Sequence, residues 1–532
     1  MASVMHDVVV VGGGIHGVCA AWEATRRGLK VALIEADDFG HATTSNSLRT
    51  FHGGLRYLQQ LDYQRMRESI HERREWLRMA PDLVKPMRFV LPTSGHGMRG
   101  RTVMRAALLA NDLVSMDRND GVWLNRHLPR GKIWSDSRAR QVFAGTSISN
   151  LNGAATWYDA ICLNTERLLI ALIEATADAG AQVANYARAL QLRRDSSGIR
   201  GVRVRDEITD REFDLQARVV INAAGPWVDE WIAPGGNPAP RPLFTASKAF
   251  NLLARPMPFL DALGLPCSST YFVIPWNGHT LIGTRHLRCH PSSTSSTVTA
   301  GEVQAFLRDI NGALGKHRID PSAVTGVFSG LLPERAGNRG TDVALTKSAR
   351  VIDHGVNGNM PGLYSIVGIK WTTSRAVAER AVKMACHRLN TSVGSAPERT
   401  LRLRTEGADA PAVRALIEQD ATLAERVVPD VRVVKAQVVH AARSEMAFRL
   451  WDVVRRRLPL YLSDALDARA LQGCASLMER ELGWTRFETA RQLEHTMAEL
   501  QAFRGPLRAG PATHPGSPAE TITLIPRRLD AS

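Results

Sequence analysis

The stretch Asp7-Val8-Val9-Val10-Val11-Gly12-Gly13-Gly14-Ile15-His16-Gly17 decides the fold of this 532-residue chain. Its apolar run, residues 7–11, predicts a buried parallel strand. Gly12, Gly14 and Gly17 follow in the spacing GxGxxG, and the Ala-rich residues 15–27 predict a helix. A second apolar run, residues 30–34, predicts the next strand. These features together predict a Rossmann-like unit at the start of the chain.

Each part of this unit suits the binding of a dinucleotide. Gly12 permits a tight turn, Gly14 lets backbone N–H groups approach a pyrophosphate, and Gly17 lets the helix pack on the strand. The helix N-terminus offers partial positive charge to the phosphates. Glu35, 18 residues after Gly17, can accept hydrogen bonds from a ribose and disfavours a 2′-phosphate. On this unit alone, FAD and NAD both remain open.

Composition excludes several classes of protein. Apolar residues make up 44% and charged residues 22% of the chain, which excludes collagen-like, wholly disordered and disulfide-framework proteins. The net charge of +15 is compatible with nucleic acid, anionic lipid or an anionic substrate. No nucleic-acid-binding motif accompanies it, so we expect no nucleic-acid partner. The six scattered cysteines indicate reduced thiols and no metal site, which favours a cytoplasmic location. No apolar run is long enough to predict a transmembrane helix.

Further motifs follow in a fixed order. They are ATTSNS (42–47), HGGLRYL (52–58), MRFVLP (87–92), NAAGPWV (222–228), FVIPW (272–276), LIGT (281–284), GIKWTT (368–373), EMA (445–447) and LWDVVRRR (450–457). Together with the first unit, they resemble the FAD-dependent glycerol-3-phosphate dehydrogenase family of the amino-acid-oxidase-like flavoproteins. The resemblance covers residues 5–500 approximately and implies that the cofactor is FAD.

The resemblance implies an α/β fold (α+β overall) with a Rossmann-like FAD-binding domain, an antiparallel-sheet substrate domain and a C-terminal helical domain. The FAD-binding domain would be discontinuous within residues 1–390, taking about 1–90, 150–240 and 335–390. The substrate domain would take about 90–150 and 240–335. Residues 391–410 indicate a linker, and helical periodicity predicts a domain over 411–505. Residues 506–532 are rich in Pro, Gly, Ser and Thr, which predicts a disordered tail.

The resemblance also implies which residues contact FAD. They are Gly12, Gly14, Ile15, His16, Gly17, Glu35, Thr43, Thr44, Ser45, Ser47, His52, Gly53, Gly54, Arg188, Ala189, Ala223, Ala224, Gly225, Trp227, Gly368, Ile369, Lys370 and Thr372. His16, inside the glycine turn, is interpreted as mainly structural.

Three residues are candidates for catalysis: His52, Arg56 and Lys370. Oxidation of a secondary alcohol by a flavin needs a proton acceptor and positive charge near the flavin N1–C2=O edge. Lys370, with the helix that begins at about Thr372, suits the second task. His52 is the candidate base because histidine titrates near neutral pH. The alternative is that His52 only hydrogen-bonds to the flavin or the backbone.

Arg56 and Tyr57 resemble the substrate-anchoring pair of the family. Lys347 stands where the family usually carries a phosphate-binding arginine, and Leu332 replaces another such arginine. Arg335 and Arg339 are candidate replacements from the same loop. Arg285-His286 stands where a small polar residue and an acid are usual. These departures put the substrate in question and leave the FAD assignment unchanged.

The resemblance implies oxidation of sn-glycerol 3-phosphate to dihydroxyacetone phosphate by hydride transfer to flavin N5, with quinone or oxygen as electron acceptor. The alternative is a related FAD oxidoreductase acting on another polyol, amino alcohol, hydroxy acid or amine. A flavin-binding protein without turnover is disfavoured because all three candidate catalytic residues are present.

Two basic segments, residues 98–105 and 455–457, are open to two interpretations. Each either contacts anionic lipid, peripherally at the inner face of the cell membrane, or forms a solvated basic face. A homodimer is also left open by the sequence.

Overall fold

The computed structural model describes residues 1, 4–232, 243, 245–289, 295–335, 343, 345–357, 360–391, 403 and 410–505. Most of the predicted linker, the whole predicted tail and Arg339 lie outside the described residues.

The described strands are β1 (Met5–Val11), β2 (Val31–Ile34), β3 (Thr50–Phe51), β4 (Val84–Ser94), β5 (Lys132–Trp134), β6 (Leu151–Cys162), β7 (Gln182–Ala184), β8 (Ala187–Asp195), β9 (Gly198–Asp206), β10 (Glu212–Asn222), β11 (Thr245–Ala254), β12 (Ala262–Pro266), β13 (Thr270–Trp276), β14 (His279–Arg288), β15 (Val324–Glu334), β16 (Arg350–Asp353) and β17 (Leu363–Val367).

The described helices are α1 (Ile15–Arg26), α2 (Tyr63–Met79), α3 (Arg101–Val114), α4 (Asp136–Val142), α5 (Thr165–Asp178), α6 (Ala300–Leu314), α7 (His354–Asn357), α8 (Ser374–Leu389), α9 (Pro411–Gln419), α10 (Lys435–Ser444), α11 (Leu450–Asp452), α12 (Ala468–Leu482) and α13 (Arg486–Arg504).

The first sheet carries the glycine-rich unit. Its strand order is β16-β17-β10-β1-β2-β7, with the hairpin β8-β9 attached to β10. β1 lies between β10 and β2 and is parallel to both. Val8, Val9 and Val10 are fully buried, because helices α1, α5 and α8 cover one face and the β8-β9 hairpin contributes to the other. The predicted Rossmann-like unit is therefore confirmed.

The second sheet is mostly antiparallel, in the order β15-β11-β14-β13-β12-β4-β6-β3, with β5 on β6. β6 pairs with β4 from Leu151 opposite Ser94 to Cys162 opposite Val84. The resemblance implies that residues from about 150 to 240 belong to the FAD-binding domain. The start of that stretch, in β6, belongs to the second sheet. The long β4 needs a ladder partner along its whole length, and β6 supplies it.

The C-terminal helices α9–α13 form a separate layer that packs on the second sheet. Phe328 of β15 contacts Tyr461 and Phe503 from this layer at ring-centre distances of 6.4 and 5.2 Å. The expected fold class, with its C-terminal helical domain, is confirmed.

The arginine run 455–457 differs from both interpretations made from the sequence, because all three side chains are buried. Arg457 donates two hydrogen bonds of 2.8 Å to Asp38, and Arg455 donates one of 2.5 Å to Glu166. Burial alone would raise the pKa of Asp38, but the guanidinium groups of Arg457 and Arg456 hold it well below its usual range. The acids come from distant parts of the chain, so the local sequence could not indicate them.

Candidate active site

One cavity of about 700 Å³ extends along the carboxyl ends of the parallel strands, under the second sheet. Glu35 and Arg188 line one end, and His52 and Lys370 line the other. The volume lies within the usual range for small-molecule and cofactor sites. The position is that expected for an open α/β sheet, where ligands bind beyond the carboxyl ends of the strands.

The glycine turn brings the start of α1 directly against the cavity. Gly12 has φ +108°, and a Cβ on Gly17 would lie 1.9 Å from the Gly12 carbonyl oxygen. The N-cap of α1 is Gly14, which has no side chain to cap the helix, and residues 14–16 line the cavity. The Ile15 N–H donates to Thr44 Oγ1 at 3.1 Å. Only glycine fits at positions 12 and 17, and the helix start that they position is suited to binding an anion.

Glu35 ties the end of β2 to the glycine turn and is only 7% exposed. One carboxylate oxygen accepts from the Gly13 N–H at 2.6 Å, and the other accepts from the Asp37 N–H at 3.0 Å. Each carboxylate oxygen has a further lone pair. Glu35 can therefore also accept hydrogen bonds from a ribose at the cavity.

His16 packs against the loop that follows β17. A Cβ on Gly368 would lie 2.3 Å from the His16 ring, so the glycine provides the space for this contact. Burial lowers the pKa of His16 to about 4, which keeps the ring neutral. His16 thus joins the glycine turn to the segment that carries Lys370.

His52 lies at the other end of the cavity, and its backbone N–H donates to Thr372 Oγ1 at 3.3 Å. Burial, together with the positive charges of Lys370 and Arg73, lowers the pKa of His52 to about 3. Burial and these charges disfavour the near-neutral titration expected for His52 from the sequence. The ring is neutral and has a nitrogen that can accept a proton, but its positive surroundings make it a weak base.

Lys370 is hydrogen-bonded to the hydroxyl groups of Tyr57, at 2.6 Å, and Ser69, at 3.1 Å. Burial and, after it, the positive charge of Arg65 lower the pKa of Lys370 to about 8. Arg56 is exposed and does not line the cavity. Its charge nevertheless contributes to lowering the pKa of both His52 and His286. Burial is the larger cause for both, and other cations also contribute more than Arg56 at His52.

The glycine pair 53–54 makes room for side chains. A Cβ on Gly53 would lie 2.5 Å from Arg73 Nη1, and one on Gly54 would lie 2.3 Å from the Tyr57 ring. The Gly53 N–H donates to Asp159 Oδ1 at 2.6 Å, and Asp159 also pairs with Arg73. Both glycines were expected to contact FAD. In the structure, Gly53 makes room for Arg73 of the Arg73–Asp159 ion pair, and Gly54 makes room for the Tyr57 ring.

Most residues expected to contact the cofactor line the cavity. Those that do are Gly12, Gly14, Ile15, His16, Glu35, Thr43, Thr44, Ser47, His52, Arg188, Ala189, Ala223, Ala224, Gly225, Trp227, Gly368, Ile369 and Lys370. Those that do not line it are Gly17, Ser45, Gly53, Gly54 and Thr372.

Of the expected substrate residues, Leu332 lines the cavity. Tyr57 does not line the cavity but accepts a hydrogen bond from Lys370, which does. Lys347 and Arg335 are exposed and do not line the cavity. Arg335 directly follows the end of β15 and does not line the cavity beside Leu332.

Arg49 is a cavity residue that sequence reasoning missed. Its side chain is fully buried. Its Nη2 group donates to Glu166 Oε1 at 2.8 Å and to the Ser45 carbonyl at 3.3 Å. Arg455 also donates to that carbonyl, at 3.2 Å. The C-terminal layer thus helps to hold the segment 43–46 that lines the cavity. Nothing in the local sequence indicates this, because the partners are far apart in the chain.

These features fit FAD. The start of α1, whose N-cap Gly14 has no side chain, and Glu35 would hold the diphosphate and ribose, and the loop 368–370 would hold the flavin ring beside His52.

Comparison with known families agrees with this fit. Residues 7–384 match the family of FAD dependent oxidoreductases, and residues 369–489 match the C-terminal domain of alpha-glycerophosphate oxidase. The chain is 29% identical to the glycerol-3-phosphate dehydrogenase of Synechocystis, over 92% of this chain and 95% of that protein. It is 28% identical to the human mitochondrial glycerol-3-phosphate dehydrogenase, over 92% and 72%.

Solved structures show the same fold. The glycerol-3-phosphate dehydrogenase of Bacillus halodurans, complexed with FAD, superposes with a TM-score of 0.73 at 21% identity, over 96% of this chain and 97% of that one. The L-alpha-glycerophosphate oxidase of Mycoplasma pneumoniae, with FAD bound, gives 0.52 at 15% identity, over 72% and 95%. With the family match spanning residues 7–384, the chain belongs to the FAD-dependent oxidoreductases.

Proposed function

We propose that the protein oxidises sn-glycerol 3-phosphate to dihydroxyacetone phosphate with FAD as its cofactor. The observation that carries the proposal is the cluster of His52, Tyr57 and Lys370 at one end of the cofactor cavity. Relatives that cover more than nine-tenths of the chain are named for the same reaction, which supports it.

When bound, FAD supplies an acceptor for the hydride from the substrate carbon. The chain supplies the remaining requirements. His52 lines this end of the cavity and is the candidate acceptor for the hydroxyl proton as the alcohol is oxidised. Lys370 lies in the loop after β17, where its ammonium group stabilises negative charge at that end of the cavity. Arg56 and Tyr57 would anchor the substrate's anionic group at the mouth.

The alternative substrates remain candidates because of the sheet above the cavity. Leu332 presents an apolar side chain there, and burial lowers the pKa of the adjacent His286 to about 4, so that ring is neutral. A substrate with an uncharged or apolar group facing this sheet would fit better than one with a phosphate in that direction.

We propose quinone at a membrane surface as the electron acceptor, with oxygen as the alternative. Helix α3 exposes Leu109 and Leu113, and Met116 follows it, while Arg101 and Arg105 are exposed on the same helix. Apolar and cationic groups side by side suit the interface of an anionic bilayer. None of the helices in the described parts of the chain is long and apolar enough to cross a membrane.

The membrane proposal is tested by sedimentation with vesicles that contain or lack anionic lipid. Binding that requires anionic lipid and is lost in Leu109→Gln/Leu113→Gln supports it, and equal binding by both proteins contradicts it. Formation of hydrogen peroxide in air, without reduction of a soluble quinone, would favour oxygen.

The substrate is tested with a panel of alcohols and amines, phosphorylated and not, assayed with the holoenzyme and an artificial electron acceptor. Highest kcat/KM for sn-glycerol 3-phosphate supports the proposal. Higher kcat/KM for an unphosphorylated member would replace it with the alternative.

A further inference from the structure

Arg65 occupies an unexpected place beside the substrate end of the cavity. It extends from the first turn of α2, and its side chain is only 11% exposed. Its Nη1 donates to the Lys347 carbonyl at 2.6 Å, and its guanidinium carbon lies 4.0 Å from the centre of the Tyr57 ring. One guanidinium group therefore contacts two residues that the family resemblance assigns to substrate binding.

The sheet on the opposite side of this end brings no net positive charge. β11 pairs Ala249 with His286 of β14 on one side and with Gly330 of β15 on the other, so the three share a row. Asn251, Thr284 and Leu332 line the same face. The charged pair that the described part of this face carries, Arg288 with Glu334 at 3.2 Å, has no net charge, and His286 is neutral. Net positive charge for an anionic substrate is therefore sought on the other wall.

Arg65 contributes to the electrostatic potential of that other wall. After burial, its positive charge is the largest cause that lowers the pKa of Lys370, and it also lowers the pKa of His52. A potential that disfavours a proton at these positions favours an anion there by the same Coulomb interaction. Asp62 lies 3.2 Å from Arg65 Nε and offsets part of this charge, but Asp62 is 37% exposed and is screened by water.

We propose that Arg65 is a specificity-determining residue for anionic substrates: it supplies from α2 the positive charge that Leu332 does not supply from the sheet, and it positions Tyr57 and the Lys347 segment. The inference rests on the proposed function only in assuming that the substrate carries an anionic group.

The test uses the FAD-loaded protein and inorganic phosphate as the probe. Phosphate binding is followed by its perturbation of the visible absorbance of the bound flavin. Arg65→Gln keeps an amide donor and removes the charge, and Arg65→Lys restores the charge. Arg67→Gln is the matched control, because Arg67 lies on the same helix, is 46% exposed and pairs with Asp117.

Arg65→Gln is expected to raise the Kd of phosphate about 10-fold, and Arg65→Lys and Arg67→Gln to stay within about threefold of the unmodified protein. In turnover, Arg65→Gln should raise KM for sn-glycerol 3-phosphate with kcat little changed, and should leave KM for uncharged glycerol unaltered. A purely structural role would change both substrates alike.

Equal phosphate binding by Arg65→Gln and the unmodified protein, or no phosphate binding by the unmodified protein, would overturn the inference. Failure of the proposed function is a different result: phosphate binds through Arg65, but sn-glycerol 3-phosphate does not reduce the flavin.

Discussion

Lys370 Nζ donates a hydrogen bond of 2.6 Å to the Tyr57 hydroxyl, which links the loop after β17 to the segment after β3. These two residues are 313 positions apart. The link places an ammonium group and a phenol at one end of the cofactor cavity. It also buries Lys370 beside Arg65, which is why the pKa of this lysine is low.

The lowered pKa of Lys370 predicts a pH dependence with a definite sign. Lysine is charged below its pKa, so kcat/KM for an anionic substrate should fall as pH rises through about 8. A phosphate monoester is already a dianion in this range, because its second pKa is about 6. The profile should be measured for sn-glycerol 3-phosphate and for glycerol in parallel. A fall of the same size for uncharged glycerol would show that Lys370 does not act through attraction of the anion.

Gly17→Ala is expected to prevent FAD binding. The added Cβ would lie 1.9 Å from the Gly12 carbonyl oxygen, so the glycine turn and the start of α1 would have to separate. Gly301→Ala in α6 is the control, because nothing lies within 4 Å of its Cβ position, and helix propensity predicts a gain of up to about 1 kcal/mol. FAD content and Tm of both variants check this. Normal FAD content in Gly17→Ala would contradict the assigned role of the turn.

Leu332→Arg is expected to improve the use of sn-glycerol 3-phosphate. Leu332 lines the cavity, and an arginine there could bind phosphate directly, which Arg65 does not do from behind Tyr57. One charged hydrogen bond contributes about 1.5–3 kcal/mol, so KM should fall roughly 10- to 150-fold. The measurement is steady-state kinetics of both proteins. A KM that is already micromolar and does not improve would show that the clamp is complete without this arginine.

Arg455→Ala is expected to destabilise the protein, because it leaves the buried Glu166 with less positive charge. Burial alone would raise the pKa of Glu166, but Arg49 and Arg455 lower it to about 2. Breaking such a buried pair costs about 3–5 kcal/mol. Arg491→Ala, which removes the exposed pair with Glu488, should cost at most about 1 kcal/mol. The Tm of both variants is measured by thermal unfolding, and Arg455→Ala should have the lower value. Similar Tm values for the two would contradict a structural role for the run 455–457.

The nucleotide-binding half of the fold was predictable because its signals are local. The buried valines of β1, the glycine spacing and Glu35 lie within a short segment, and each has a separate physical reason. Periodicity alone likewise indicated the C-terminal helices. Sheet membership of β6 was not predictable in this way, because strand pairing depends on residues far apart in the chain.

The candidate site was predictable only for residues that belong to a recognisable segment of sequence and line the cavity directly. Leu332 and Lys370 are such residues. The roles of Arg49, Arg65 and Arg73 depend on Glu166, the Lys347 carbonyl and Asp159, which no local pattern connects to them. The pKa of His52 could not be predicted either, since burial and four surrounding cations determine it together.

Anaerobic mixing of the FAD-loaded protein with sn-glycerol 3-phosphate tests the central claim most directly. The visible absorbance of the flavin should be lost, and one dihydroxyacetone phosphate should form for each flavin reduced. A flavin that stays oxidised with saturating sn-glycerol 3-phosphate, in protein that dithionite reduces fully, would contradict the account.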